Sequence, residues 1–476
     1  MYSVAVVGGG VIGATILREL TKYNLSVIML EKESDVSMGQ SGANSGIVHA
    51  GFDAVPNTNK AKFNVLGNKM MKEYCNDLGV KYLNNGSLVI AYDDEQLKAL
   101  KSLKERGEIN GVKELSILNR EELLSLEPNL SKNVVGALYA KTGGIVCPYE
   151  LTIASIGNAM DNGASLKLNF EVDKIVKTND GYEITSSTGE KVESKLVINC
   201  AGYGSQKIAN SVGDYSFKIG ARRGEYILLD RESKGFVNHT IFCTPTKHGK
   251  GILITQTVDG NILLGPTAEV ISDNCTSTTA SGLSKIKEIA MQMAENIPFY
   301  NTITSFSGVR AFADRNDFII EESAVAKGFI NVAGIESPGL TASPAIAKFV
   351  VENLIAQNIN LTKNASFNGI RKPDYFFNNL TTEEKNKIIK ENPSYGNIVC
   401  RCEKITEGEI IRAITENPKA TTIDGVKRRT RAGMGRCQGG FCQPRVAEII
   451  ANTLDIKLQE VTKKGGKSNI LIGRTK

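Results

Sequence analysis

Four of the nine cysteines stand in two pairs, Cys400-Arg401-Cys402 and Cys437 with Cys442 across Gln438-Gly439-Gly440-Phe441. Thiols one residue apart on extended chain point to the same side, and a Gly-Gly loop lets the second pair converge on them, so four thiolates can surround one metal centre. Zinc accepts such a set, but its structural sites usually come as C-x2-C knuckles, which this spacing is not; zinc, another metal centre and free thiols stay open on the residues alone. Cys75, Cys147, Cys200, Cys243 and Cys275 stand singly and read as small packing residues. An odd total in a chain without a secretion signal argues against a disulfide framework.

At the other end, a β-branched run over residues 3–7 leads into Gly8-Gly9-Gly10-Val11-Ile12-Gly13, then a helical pattern through Leu17 and Leu20, then an apolar run 27–30 ending at Glu31-Lys32. Gly8 permits a tight turn, Gly10 lets backbone approach a pyrophosphate, and Val11 and Ile12 open a helix whose N-terminus favours anions. Gly13 lets helix and strand pack closely, and Glu31 can accept ribose hydroxyls. This fingerprint serves NAD and FAD alike.

The segment 39–51 places four glycines among small hydroxyl and amide residues, including Ser41, Asn44, Ser45 and Gly46, with His49 near its end. Such a chain can wind closely along a flat ring and its phosphates. Here the sequence resembles the D-amino-acid oxidase superfamily of flavoproteins, in the branch of FAD-dependent glycerol-3-phosphate and L-2-hydroxyglutarate dehydrogenases, over about residues 1–365. The resemblance implies FAD as cofactor. It matches Val172 to the strand that meets the adenine, Ala201-Gly202 to the passage beside the cofactor, and 331–344, with Gly334, Gly339, Leu340 and Thr341, to the last strand, turn and helix. That helix would aim its positive end at the flavin.

The implied fold is α/β: a Rossmann-like FAD-binding domain, an inserted α+β substrate domain of mostly antiparallel sheet, and a small helical C-terminal domain. The expected division is 1–81, 146–214 and 306–370 for FAD binding, 82–145 and 215–305 for the substrate domain, and 371–476 for a linker and metal domain. Strand-like stretches at 224–229 and 261–266 suit a sheet roofing the flavin.

Family members carry an arginine at the place of Arg310 that binds a substrate carboxylate or phosphate, for which a guanidinium offers parallel donors. Arg315 and Lys250 are further candidates for that pocket. His49 has three readings: base or polarising group for the substrate hydroxyl, covalent attachment point for the flavin, or structural histidine. His239 and His248 receive no role. The implied substrate is a small anionic secondary alcohol, glycerol 3-phosphate first and a 2-hydroxy acid such as L-2-hydroxyglutarate second. Rival readings are an amine or amino-acid dehydrogenase subunit, an oxygen-using oxidase with a structural tail, and a non-catalytic electron-transfer scaffold.

The four-cysteine segment resembles the bacterioferritin-associated-ferredoxin type of 2Fe-2S domain. A flavin accepts two electrons and such a centre passes one at a time, so an electron-accepting redox protein or subunit is implied as partner. Residues 371–476 carry 21 Lys and Arg against 12 Asp and Glu, a local +9 within a chain of net +6. The run Lys427-Arg428-Arg429-Thr430-Arg431 reads as an offset for the cluster's negative charge, as a solvated basic face, or as a docking patch for an acidic partner. Nucleic acid is not expected, since no reading motif accompanies the charge. Thr381 and Thr406, each followed by acids, read as helix starts, and another helix is expected after Pro444. Residues 2–16 lack a basic n-region and are broken by glycines, and no apolar run reaches the ~18 residues of a membrane span. The expectation is a cytoplasmic protein, peripheral to a membrane only through a partner; oligomerisation is left open.

Overall fold

The computed structural model describes residues 1–244, 251–371 and 377–473. Lys250 and His248 lie outside the described residues.

Strand β1 (Tyr2–Val7) runs parallel between β2 (Val27–Leu30) and the strand Lys191–Asn199. Phe329–Ala333 adds to Lys191–Asn199 in parallel, with Val197 opposite Phe329. The eight-stranded sheet is completed by Ser165–Lys167, Val172–Lys177, Tyr182–Ser186 and Ile319–Glu322. β1 and β2 are near-continuous apolar runs because both sheet faces are covered. Helix α1 (Val11–Leu20) is buried along its whole length, as a helix apolar on most sides must be. Its Ile16, Leu17 and Leu20 share one core with Leu151 and Ile156 of helix Pro148–Asp161 and Ile346 of helix Gly339–Phe349. Arg18, buried there, is satisfied by Asn158 Oδ1 at 2.9 Å.

The second sheet has nine strands drawn from both expected insertions. Ser87–Ala91, Leu115–Asn119 and Gly136–Ala140 come from the first, and Ile219–Leu229, Thr240–Cys243, Leu253–Gln256, Ile262–Gly265 and Glu269–Ile271 from the second. All its pairings are antiparallel except Thr240–Cys243 against Ser87–Ala91. The ninth strand, Thr302–Ala313, pairs with Ile219–Leu229 from Thr302 to Ala313. It thus runs unbroken through the junction expected at 305/306, because ladder hydrogen bonds continue eight residues past it.

Beyond 377 the chain forms short helices on an apolar centre of Ile410, Ile414, Val426 and Ile450, with Cys400 and Cys442 buried in the same cluster. Thr381 and Thr406 each make a reciprocal capping box with the glutamate three residues on, which is why helices Thr382–Glu391 and Glu407–Thr415 begin there. Among the described residues no helix is long and apolar enough to cross a membrane.

The arginines of the basic run do not face solvent, while Lys427 stays a third exposed beside Asp424. Arg428 and Arg429 both donate to Asp35 of the first domain, at 2.6 and 2.8 Å. Arg431 donates to Glu403 of its own domain at 2.9 Å and to Asp259 of the roof sheet at 2.6 Å. Arg429 and Arg431 side chains are each 7% exposed. The solvated-face and docking-patch readings of this run are therefore corrected: its charge is consumed by carboxylates that fold distant parts of the chain against it.

Candidate active site

The turn after β1 is set by two contacts that leave no space for a side chain. Gly8 has φ of +109°, and a Cβ there would stand 2.4 Å from the Cys200 carbonyl oxygen; at Gly13 it would stand 2.1 Å from that of Gly8. Helix α1 has Gly10 as N-cap and no side-chain cap of its own. The Val11 N–H donates instead to Ser41 Oγ at 2.8 Å, which pins the 39–51 segment over the turn. Glu31 accepts from the Gly9 N–H at 2.5 Å and from the Glu33 N–H at 2.9 Å. Burial raises its carboxyl above the usual range, outweighing those two donors.

A cavity of about 550 Å³ opens along this turn. Its wall holds Gly8, Gly10, Val11 and Ile12 of the turn, and Glu31 and Lys32 after β2. Ser41, Asn44 and Ser45 line it from the pinned segment, Val172, Ala201 and Gly202 from the neighbouring strand ends, and Gly334, Gly339 and Leu340 from the last strand and helix. Three expected contact residues stand behind the wall. Gly13 packs on Gly8, and Gly46 lies against the Val146 carbonyl. Thr341, fully buried, receives the His49 N–H on its Oγ1 at 2.9 Å. These three shape the wall from outside.

His49 and Arg310 line the same cavity. His49 Nε2 lies 3.1 Å from Ser337 Oγ, and its carbonyl accepts from Asn64 and Asn68 side-chain amides at 2.8 and 3.1 Å. Those bonds hold the imidazole's backbone. Arg310 stands mid-strand with Arg222 as its cross-strand partner. Arg222 pairs with Glu336 at 2.9 Å, a carboxylate it shares with Lys60, and lies over the Phe312 ring at 4.6 Å. Arg310 donates from Nη2 to the Thr267 carbonyl at 2.7 Å, its Nε–H is buried without a partner, and no carboxylate pairs with it among the described residues. A guanidinium at a cavity wall with no acid partner is chemically suited to pair with an anion there.

Arg315 does not reach this cavity. It lies past the end of the Thr302–Ala313 strand, tied to Glu321 at 2.8 Å and to the Ser216 carbonyl at 3.0 Å, so its place in the pocket is corrected to a surface ion pair. His239 is held by Glu127 at 2.6 Å. Sequence reading passed over Tyr226, which lines the cavity, stacks on Phe306 at 4.8 Å and has its hydroxyl pushed up by burial. The two-residue alternation along the strand carried that signal, since positions 222, 224 and 226 face the same side as 306, 308 and 310. Asn274 and Thr276 also line the cavity, from an irregular segment that offered no pattern to read.

The four paired thiols come together two by two. Cys402 and Cys437 Sγ atoms are 3.6 Å apart, and buried Cys400 shares a hydrogen bond with buried Cys442 that holds its thiol down to about 6. Backbone N–H groups of Gly433 and Cys402 point at Cys400, and those of Phe441 and Gly439 at Cys437. Helix Gln443–Leu454 starts at Cys442, with Pro444 in its first turn. Among the described residues no three Cys, His, Asp or Glu side chains converge as a ready single-ion site. Two close thiol pairs ringed by amide donors fit the donor set of a two-iron centre, in which each iron takes two thiolates.

A Gly-rich turn on the parallel strands of a mixed sheet, roofed by a mostly antiparallel sheet and backed by a thiol domain, defines a two-domain flavin oxidoreductase with an appended metal module. The chain belongs to the FAD dependent oxidoreductase family, which it matches over residues 3–353, and residues 398–452 match the BFD-like [2Fe-2S] binding domain. FAD and a 2Fe-2S cluster are its cofactors. A glycerol 3-phosphate dehydrogenase of Caloramator mitchellensis is 49% identical over 479 residues, covering 100% of this chain and 99% of its own. A glycerol 3-phosphate oxidase of Mycoplasma genitalium is 36% identical over 374 residues, covering 77% of this chain and 97% of its own. The solved L-alpha-glycerophosphate oxidase of Mycoplasma pneumoniae, dithionite reduced with FAD bound, superposes with a TM-score of 0.74 at 32% identity over 78% of this chain and 98% of its own.

Proposed function

We propose that this chain is a dehydrogenase of glycerol 3-phosphate, oxidising its secondary hydroxyl to the ketone and passing the electrons through the 2Fe-2S cluster to a separate redox protein or subunit, in solution or at a membrane. The observation that carries the reading is Arg310, an arginine without a carboxylate partner among the described residues, in the cavity that also holds His49. FAD, held by the turn, Glu31, the pinned segment 39–46 and the start of the last helix, supplies the acceptor for the substrate's hydride. Arg310 binds the phosphate through the Nη–H groups not given to the Thr267 carbonyl. His49 takes the hydroxyl proton at Nε2, the atom that Ser337 Oγ orients. Phe242, Leu253 and Pro266 of the roof, which line the same cavity, exclude water. Cys400, Cys402, Cys437 and Cys442 hold the cluster.

Export of electrons through a protein partner is supported by the pattern of relatives. The Mycoplasma genitalium oxidase is covered almost end to end by 77% of this chain, which leaves the remaining share without counterpart, whereas the Caloramator dehydrogenase is covered throughout. The test is an anaerobic titration of the purified protein with glycerol 3-phosphate, L-2-hydroxyglutarate and amino acids, following flavin bleaching and the electron paramagnetic resonance of the reduced cluster. Bleaching by glycerol 3-phosphate with appearance of the cluster signal is expected. Bleaching by amino acids alone overturns the substrate, and stoichiometric hydrogen peroxide in air with a silent cluster overturns the electron route.

A further inference from the structure

We propose that the loop 31–37 couples FAD occupancy to the seating of the cluster domain, with Asp35 as the positioning residue that joins the two. The inference rests on placing Glu31 against the cofactor, and it concerns neither substrate nor electron acceptor.

The loop begins and ends on one residue of the dinucleotide turn. Glu31 accepts the Gly9 N–H, and the Ser37 N–H donates back to the Gly9 carbonyl at 3.0 Å. Glu31 also receives the Glu33 N–H, so the first half of the loop is folded onto the carboxylate that faces the cavity. The tip of the loop belongs to the other domain. Asp35 is 2% exposed and takes Arg428 on one oxygen at 2.6 Å and Arg429 on both, at 2.8 and 2.9 Å. Ser34 Oγ donates to the Lys464 carbonyl at 2.8 Å.

A seven-residue loop clamped at both ends to Gly9 and gripped at its tip by two buried guanidiniums has little freedom to move one end without the other. When the cofactor fixes Gly9 and Glu31, the Asp35 carboxylate is held where Arg428 and Arg429 meet it. When those arginines hold Asp35, Glu31 is preset for the cofactor. Such coupling is reciprocal by thermodynamic necessity. The largely buried ion pairs also disfavour partly separated states, in which a charge would have lost its partner before reaching water.

The test uses the full-length chain, with and without FAD, and two readouts that involve no turnover. One is the FAD dissociation constant from flavin fluorescence; the other is amide hydrogen exchange in helix Ile423–Thr430, which carries Arg428 and Arg429. In the unmodified protein, removing FAD should speed exchange in that helix. Asp35→Asn should make the helix exchange at the fast rate whether or not FAD is present, and should raise the FAD dissociation constant roughly 10-fold, within the usual span of coupling between sites. Arg428→Met, which leaves the Asp35–Arg429 pair, should move both readouts the same way by less and serves if Asp35→Asn fails to fold. Asp161→Ala removes a contact to Asn417 elsewhere between the domains and should leave FAD affinity unchanged. The proposal is overturned if helix exchange ignores FAD, if Asp35→Asn loosens the helix with FAD affinity intact, or if Asp161→Ala weakens FAD as much as Asp35→Asn does.

Discussion

Arg310→Met separates anion binding from every other role the cavity could give this residue. The guanidinium makes one bond inside the protein, to the Thr267 carbonyl, and has no acid partner among the described residues. Its removal therefore strands no buried charge and leaves one carbonyl unpaired, a cost to folding of about 1 kcal/mol, partly offset because Arg222 loses a like-charged neighbour. Toward the substrate the loss is larger. Hydrogen bonds to charged groups contribute about 1.5–3 kcal/mol each, so losing the stronger end of that range costs roughly 100-fold in kcat/KM, at about 1.4 kcal/mol per decade. Arg310→Lys keeps the charge without the planar fork and should lose about 10-fold. The assay is anaerobic stopped-flow reduction of the flavin against glycerol 3-phosphate concentration, with thermal unfolding of each variant alongside. A large rise in half-saturation with nearly unchanged melting is expected. Half-saturation within twofold of the parent in Arg310→Met, in a folded and yellow protein, refutes the assignment.

His49→Asn should retain FAD yet slow flavin reduction by about 10²–10⁴, the usual contribution of a positioned base, and an unchanged rate would exclude it as the proton acceptor. Gly13→Ala drives a methyl to 2.1 Å from the Gly8 carbonyl oxygen, so the turn must open and the protein should purify without flavin colour; a normal flavin content would contradict the packing argument. Cys402→Ser should abolish the cluster signal while glycerol 3-phosphate still bleaches the flavin under anaerobic conditions, which spectroscopy of one sample can check. Burial acts to raise the Asp35 carboxyl, but Arg429 and Arg428 together hold it below the usual range. Its folded value is thus below its unfolded value, so its contribution is complete above about pH 4 and fades only as pH falls through the lowered value. Exchange in helix Ile423–Thr430 should accordingly be flat, after correction for intrinsic rates, from neutrality to pH 5 and rise below about pH 4.

Much of the site was legible because its chemistry is local. Gly8 through Gly13 work through residues a few positions apart, and the backbone turn that their spacing demands is the turn that forms, whereas the thiols meet across the domain, Cys402 with Cys437 and Cys400 with Cys442. The helix starts at Thr381 and Thr406 were readable for the same reason, a hydroxyl and an acid three residues apart closing on each other. Arg315 misled for the converse reason: its neighbourhood resembles that of Arg310, but it falls beyond the strand end, where Glu321 is nearer than the cavity. Tyr226 was inside a correctly expected strand and went unremarked because which face of a strand looks into a cavity depends on the partner strand.

The amino-acid order by itself determined the dinucleotide turn and the sheet-forming runs, since each is enforced by sterics and hydrogen bonds within a short stretch of backbone. Only the tertiary structure decided that Arg310 shares a cavity with His49, and that two arginines of a run read as a cluster offset, a solvated face or a docking patch close on Asp35, for Arg429 394 residues earlier in the chain. A charge reads as surplus until the fold reveals its counter-charge, and burial then makes that pairing obligatory, because an ion leaves water only where an opposite one receives it.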